Sequence, residues 1–152
     1  WQMGNLGGAN WQKVSIMAAV SLVIFSLLPS QAKSLNALLL GESEARHLGI
    51  DVQCIKRQLI FLTALGVGVS VALAGLIGFV GLVIPHMVRL LIGPDHRALM
   101  PASALAGASL LLIADSIARV VVLPAELPTG ILTALLGAPF FVVLLLKQRR
   151  EV

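Results

Sequence analysis

From Gln58 to Ile92 the chain reads QLIFLTALGVGVSVALAGLIGFVGLVIPHMVRLLI, 35 residues with no charge before Arg89. As a single helix this stretch would be about 52 Å long at about 1.5 Å per residue. The hydrocarbon core of a bilayer is about 30 Å thick, so one helix would have to tilt beyond the usual range. Ala74-Gly75-Leu76-Ile77-Gly78 offers a break, because glycine permits backbone turns that other residues resist. The reading is therefore two helices, about Arg57–Ala74 and a shorter one about Ile77–Ile92 that contains Pro85.

Outward from this pair, residues 14–32, 98–114 and 127–146 contain no Asp, Glu, Lys or Arg, and each can hold one spanning helix. The expectation is five spans: Trp11–Leu28, Arg57–Ala74, Ile77–Ile92, Pro101–Ala118 and Gly130–Leu146. Composition agrees. Hydrophobic residues make up 58%, charged residues 12%, and the mean hydropathy is +0.97. A soluble domain carries about 25% charged residues, so a water-soluble globule is excluded. The single cysteine, Cys54, rules out an internal disulfide. Eleven Lys and Arg scattered between apolar runs do not form a nucleic-acid surface. The fold class expected is all-α, a polytopic transmembrane helical bundle.

Five spans place segments 29–57, 89–100 and 147–152 on one side, with nine basic residues, and leave Lys13 and Arg119 on the other. The positive-inside rule makes the nine-residue side cytoplasmic, with Trp1 outside and the C-terminus inside. An odd number of spans beginning outside predicts a fragment whose partner half precedes Trp1. Gly4, Gly7 and Gly8 with Trp1 and Trp11 suit an interfacial loop with aromatic anchors. Ser103-x-x-x-Gly107, Ala104-x-x-x-Ala108 and Ala134-x-x-x-Ala138 suit close helix packing.

Conventional active-site material is scarce. The sequence has no Ser/His/Asp set, zinc pattern or phosphate loop. His47, His86 and His96 are far apart, so a metal-dependent membrane enzyme is disfavoured and no metal site is expected. Ion-driven transporters keep ionisable groups near the bilayer midplane; here the one buried-looking carboxylate is Asp115, four residues before Arg119. Those two share a helix face. Either they form a structural ion pair, or Arg119 presents charge to an acidic partner outside.

Residues 29–56 form the long inner segment. Ser34 is positioned to cap a short helix through Leu40 that Gly41 ends. Glu42 to Leu48 suits a second, acidic at its start and basic toward its end as the helix dipole favours, with Gly49 stopping it. Both are too short to span and too apolar for a linker. They fit either a docking surface for a cytoplasmic protein or an amphipathic turn on lipid headgroups.

At these residues the chain resembles a known family, the membrane permease subunits of type II ABC importers for iron-siderophores, haem and vitamin B12. Leu40-Gly41-Glu42-x-x-Ala45-x-x-Leu48-Gly49 looks like the family's coupling loop. Further matches are Gly78-Phe79-Val80-Gly81-Leu82-Val83-Ile84-Pro85-His86-x-x-Arg89, Asp95-His96-Arg97 and Ala114-Asp115-x-x-Ala118-Arg119. Glu126-Leu127-Pro128-x-Gly130 and Leu136-Gly137-Ala138-Pro139 complete them. Trp1-x-Met3-Gly4, Trp11 and Val69–Pro85 look closest to the vitamin B12 permeases within the family.

The resemblance implies a ten-helix subunit of which residues 1–152 are the C-terminal half, with a coupling loop at about 29–56. It implies a homodimer in the bacterial inner membrane with the ligand path between subunits. A cytoplasmic ATPase would carry ATP-Mg, with no cofactor on this chain, and an extracytoplasmic binding protein would deliver the ligand. Carried over by position, Leu38, Leu39, Leu40, Gly41, Glu42, Ala45, Arg46, Leu48 and Gly49 would couple to the ATPase. Arg119 would dock the binding protein. Other classes remain open: half of an ion-coupled secondary transporter, or a membrane scaffold that transports nothing.

Overall fold

Asn10 opens the first helix, its side chain accepting a hydrogen bond from the Lys13 N–H at 2.8 Å, which satisfies one of the orphan donors of a helix start. A computed structural model of the chain describes Gly4 and residues 6–121 and 128–148. Among these the long elements are all helices: α1 (Trp11–Leu27), α2 (Ala32–Leu38), α3 (Glu42–His47), α4 (Val52–Ala74), α5 (Val80–Ile92), α6 (His96–Val121) and α7 (Thr129–Gln148). Trp1, Met3, Glu126, Leu127, Arg149 and Arg150 lie outside the described residues.

The all-α membrane architecture is as expected. Trp11–Leu38, Val52–Ala74 and His96–Val120 are long and apolar enough to cross a bilayer, and α7 has 20 residues. The glycine break between Ala74 and Val80 is real, but it takes more chain than expected. Gly75 turns with φ 77° and Phe79 adopts φ 65°, so α5 starts at Val80 instead of Ile77. Its 13 residues extend only about 20 Å, less than the hydrocarbon core. A left-handed backbone is costly for a side chain as bulky as Phe79. Its packing is tight as well: a Cβ on Gly137 would lie 2.3 Å from the Phe79 Cβ.

Other boundaries shift for local reasons. Ser34 caps nothing. Pro29 opens a 3-10 turn, Leu28–Gln31, that follows α1 directly, so the chain is already helical at Ser34. α4 begins at Val52, ahead of Arg57, because the Asp51 carboxylate accepts from the Cys54 N–H at 3.0 Å.

Hydrogen bonds gather alternate helix ends. At one end the Gly4 N–H donates to the Leu76 carbonyl at 2.9 Å and the Gly130 N–H donates to the Gly4 carbonyl at 3.1 Å. At the other end Asn36 meets Asp95 and His96. The apolar legs therefore run back and forth between two ends, as the five-leg reading requires.

The buried core joins α5 to α6. Ile84, Val88 and Leu99 form it, with Val80, Ala102, Ala106 and Leu110 packed against it. Ala102 and Ala106 admit this approach, and Gly107, expected on a packing face, lies against Val80, whose Cγ1 would be 3.8 Å from an added Cβ; Ala108, also expected there, is exposed. Leu22, Leu91 and Leu105 are 75%, 82% and 72% exposed. Such apolar exposure suits lipid or further helices, not water.

Candidate functional site

Among the described residues two places combine polar chemistry with exposure, one at each end of the bundle. The first is the short helix pair α2–α3. The Leu48 backbone closes α3, and Gly49 follows with φ 79°. The Gly49 N–H donates to the Arg46 carbonyl at 2.9 Å and the Ile50 N–H to the Ala45 carbonyl at 3.1 Å. This is the glycine-terminated Schellman pattern, which satisfies carbonyls the helix end leaves open. Glu42 and Glu44 occupy the first turn of α3, Arg46 and His47 the last, matching the helix dipole.

Leu39, Leu40 and Leu48 are 49%, 69% and 64% exposed, while Ala45 is fully buried. The nine residues expected to couple thus divide by surface. Leu39, Leu40, Gly41, Glu42, Arg46, Leu48 and Gly49 face outward, Leu38 is half-buried, and Ala45 points inward. Ala45 is thus buried within the chain, on the side of α3 away from the exposed leucines.

The pair is tied down at two points. Lys56 of α4 forms an ion pair with Glu42. Hydrogen bonding and charge from Lys56 hold the Glu42 carboxyl below its ordinary value of 4.5. Asn36 of α2 reaches the start of α6. Its Nδ2 donates to Asp95 Oδ1 at 2.6 Å, and its Oδ1 accepts the His96 backbone N–H at 2.9 Å. The His96 ring Nδ1 lies 2.8 Å from the same Asn36 oxygen. Asp95 Oδ1 also accepts the Arg97 N–H at 3.0 Å. That backbone bond, and then the Asn36 amide, hold the Asp95 carboxyl below its ordinary value of 3.8. Sequence reading passed over Asn36. The available signal was a lone amide inside a leucine-rich short helix.

The second place is the far end of α6. Arg119 Nε donates to Asp115 Oδ2 at 2.8 Å across one helical turn. Asp115 Oδ1 accepts the Thr129 hydroxyl of α7 at 3.1 Å. The Arg119 side chain is 48% exposed and that of Asp115 18%, while Thr129 is 1% exposed. Both carboxylate oxygens are therefore engaged, and the arginine still presents half its surface. Among the described residues no three His, Cys, Asp or Glu gather as a metal site.

The FecCD transport family matches residues 1–147. The hemin transport system permease protein HmuU of Yersinia pestis is 48% identical over 151 residues, 99% of this chain and 45% of that protein. The vitamin B12 import system permease protein BtuC of Citrobacter koseri is 52% identical over 151 residues, again 45% of its length. The chain thus spans about half the length of the curated relatives it matches. A solved chain from a transporter assigned to the metal-chelate ABC type, in an inward-facing conformation, superposes with a TM-score of 0.89 and 42% identity. That alignment covers 97% of this chain and 49% of the other.

Proposed function

Since the chain belongs to the FecCD transport family, we propose that residues 1–152 are the C-terminal half of the permease subunit of a binding-protein-dependent ABC importer. The subunit works as a homodimer in the bacterial inner membrane, with its C-terminus cytoplasmic. Its ligand is vitamin B12 or a related haem or iron-siderophore, the first two being what the BtuC and HmuU relatives are named for. ATP-Mg is bound and hydrolysed by a separate cytoplasmic chain. An extracytoplasmic binding protein meets Arg119.

The observation that carries this reading is the α2–α3 pair. A helix pair that buries Ala45 and leaves Leu39, Leu40 and Leu48 in the open has a seated face and an unoccupied apolar one. Such a face fits a groove on another protein. Leu39, Leu40, Gly41, Glu42, Arg46, Leu48 and Gly49 supply the docking surface, with Leu38 at its edge and Ala45 beneath it. Coupling to an ion gradient is the poorer reading, because Asp115 is already held by Arg119 and Thr129.

The test is uptake by the full-length permease, reconstituted with its ATPase and binding protein. Accumulation of vitamin B12, haem or a ferric siderophore should require ATP hydrolysis. Accumulation driven by a proton or sodium gradient without ATP would refute the proposal.

A further inference from the structure

If α2–α3 receives the ATPase's movement, that movement has to leave the pair again to reach the membrane helices. The chain itself carries it back to α1, through the 3-10 turn Leu28–Gln31, and onward to α4, through the Gly49 turn and the Asp51 cap. The exposed Glu42–Lys56 pair leads to the same helix, and exposed ion pairs hold weakly. One contact leads elsewhere. Both polar atoms of the half-buried Asn36 amide grip the first turn of α6, a sequence distance of 59 and 60 residues.

The grip falls on the cap of that helix. The Asp95 carbonyl accepts the Ala98 and Leu99 N–H groups at 3.2 and 2.9 Å, and Leu99 belongs to the buried cluster that locks α6 to Ile84 and Val88 of α5. A displacement of Asn36 is therefore delivered to two helices that pack as one body.

We propose that Asn36 is a positioning residue, transmitting motion of the docking pair to the α5–α6 hairpin through Asp95 and the His96 backbone. This rests on reading α2–α3 as the ATPase dock. Asn36 is distinct from the docking surface, because both polar atoms of its half-buried amide bond to α6 and its cap.

The amide chemistry supplies an unusual control. Asn36→Asp sets two carboxylates at hydrogen-bond distance. Asn36→Asp with Asp95→Asn exchanges donor and acceptor and restores the bond between α2 and α6, and the carboxylate introduced on α2 can still accept the His96 N–H; the exchange gives up only the Arg97 N–H bond to the same Asp95 oxygen, which lies within α6's own first turn. The measurement is ligand imported per ATP hydrolysed, in the full permease reconstituted with ATPase and binding protein. Asn36→Leu and Asn36→Asp should each lower the ratio about tenfold, within the range for residues that carry coupling, with ATPase still co-purifying. The exchanged pair should recover most of it.

An unchanged ratio in both single variants overturns the proposal. If the single variants fail to assemble, the exchanged pair decides. Assembly regained with the ratio regained supports transmission, and assembly regained without the ratio overturns it. Failure of the underlying dock looks different: Leu40→Asp and Leu48→Asp on the exposed face would then leave ATPase co-purification and import per ATP unchanged.

Discussion

Arg119 and Thr129 hold the same carboxylate but serve different ends, and their exposure separates them. Arg119 spans one helical turn to Asp115 with 48% of its side chain exposed. A surface ion pair of that kind contributes about 0–1 kcal/mol. Arg119→Glu should therefore weaken docking of the binding protein, more at low salt than at high salt, because rim charges act through screened attraction. Binding titrations at two ionic strengths check this, and a Glu→Arg change on the binding protein should recover part of the loss. Indifference to both reversals at low salt would leave Arg119 as a partner of Asp115 alone. Thr129, 1% exposed, should instead matter to folding. Thr129→Val removes a hydrogen bond to a charged group, a loss of about 2 kcal/mol, and should lower the Tm of the full-length permease where Thr129→Ser does not. The Asp115–Arg119 pair was legible in the sequence because i, i+4 spacing is local. Thr129 was not, since it arrives on another helix 14 residues later.

Elements were legible where glycine marks their ends and illegible where the chain stays helical without a mark. Gly75 and Gly49 lie at real breaks, both with positive φ. Ser34 looked like a cap and sits inside α2, because a 3-10 turn from Pro29 had already set the helix going. At Gly49 nothing lies within 4 Å of where a Cβ would project. The cost of Gly49→Ala is therefore backbone strain alone, about 1 kcal/mol. It should loosen α3 from α4 and lower ligand import per ATP, and Gly49→Asn should do less harm because asparagine tolerates this conformation. Acid should free the same pair by another route. Glu42 and Asp95 are both held below their ordinary values of 4.5 and 3.8. Groups lowered in the folded state lend their support above the unfolded value and lose it as pH falls through the folded one. Proteolytic nicking at 39–41 should accordingly stay flat through neutral pH and rise only below about pH 4. Nicking that rises already between pH 7 and 5 would mean that neither carboxylate holds the pair.

For the whole molecule the open matter is which end faces the cytoplasm. Two ends are defined by contact. Gly4, Leu76 and Gly130 meet at one, and Asn36, Asp95 and His96 at the other. Charge then supplies the direction, since the segments at the Asn36 end hold Lys33, Arg46, Lys56, Arg57, Arg89 and Arg97. Lys and Arg near the ends of spans are retained on the cytoplasmic side. The shortness of α5, 13 residues, is the one feature that strains this picture, because a helix of about 20 Å leaves part of the bilayer to other chain. The non-helical residues 75–79 make up the difference only if they lie toward the outer face. Gly78 and Ser43 are both exposed and belong to opposite ends. In a Cys54→Ser background, Gly78→Cys in the full permease should react with a membrane-impermeant thiol reagent added outside intact cells. Ser43→Cys should react only after the membrane is opened. Labelling of Ser43→Cys from outside would invert the molecule and place the leucine face of α2–α3 beyond the reach of any cytoplasmic ATPase. Protection of Gly78→Cys from both sides would instead put the break within the bilayer, in contact with lipid or neighbouring helices.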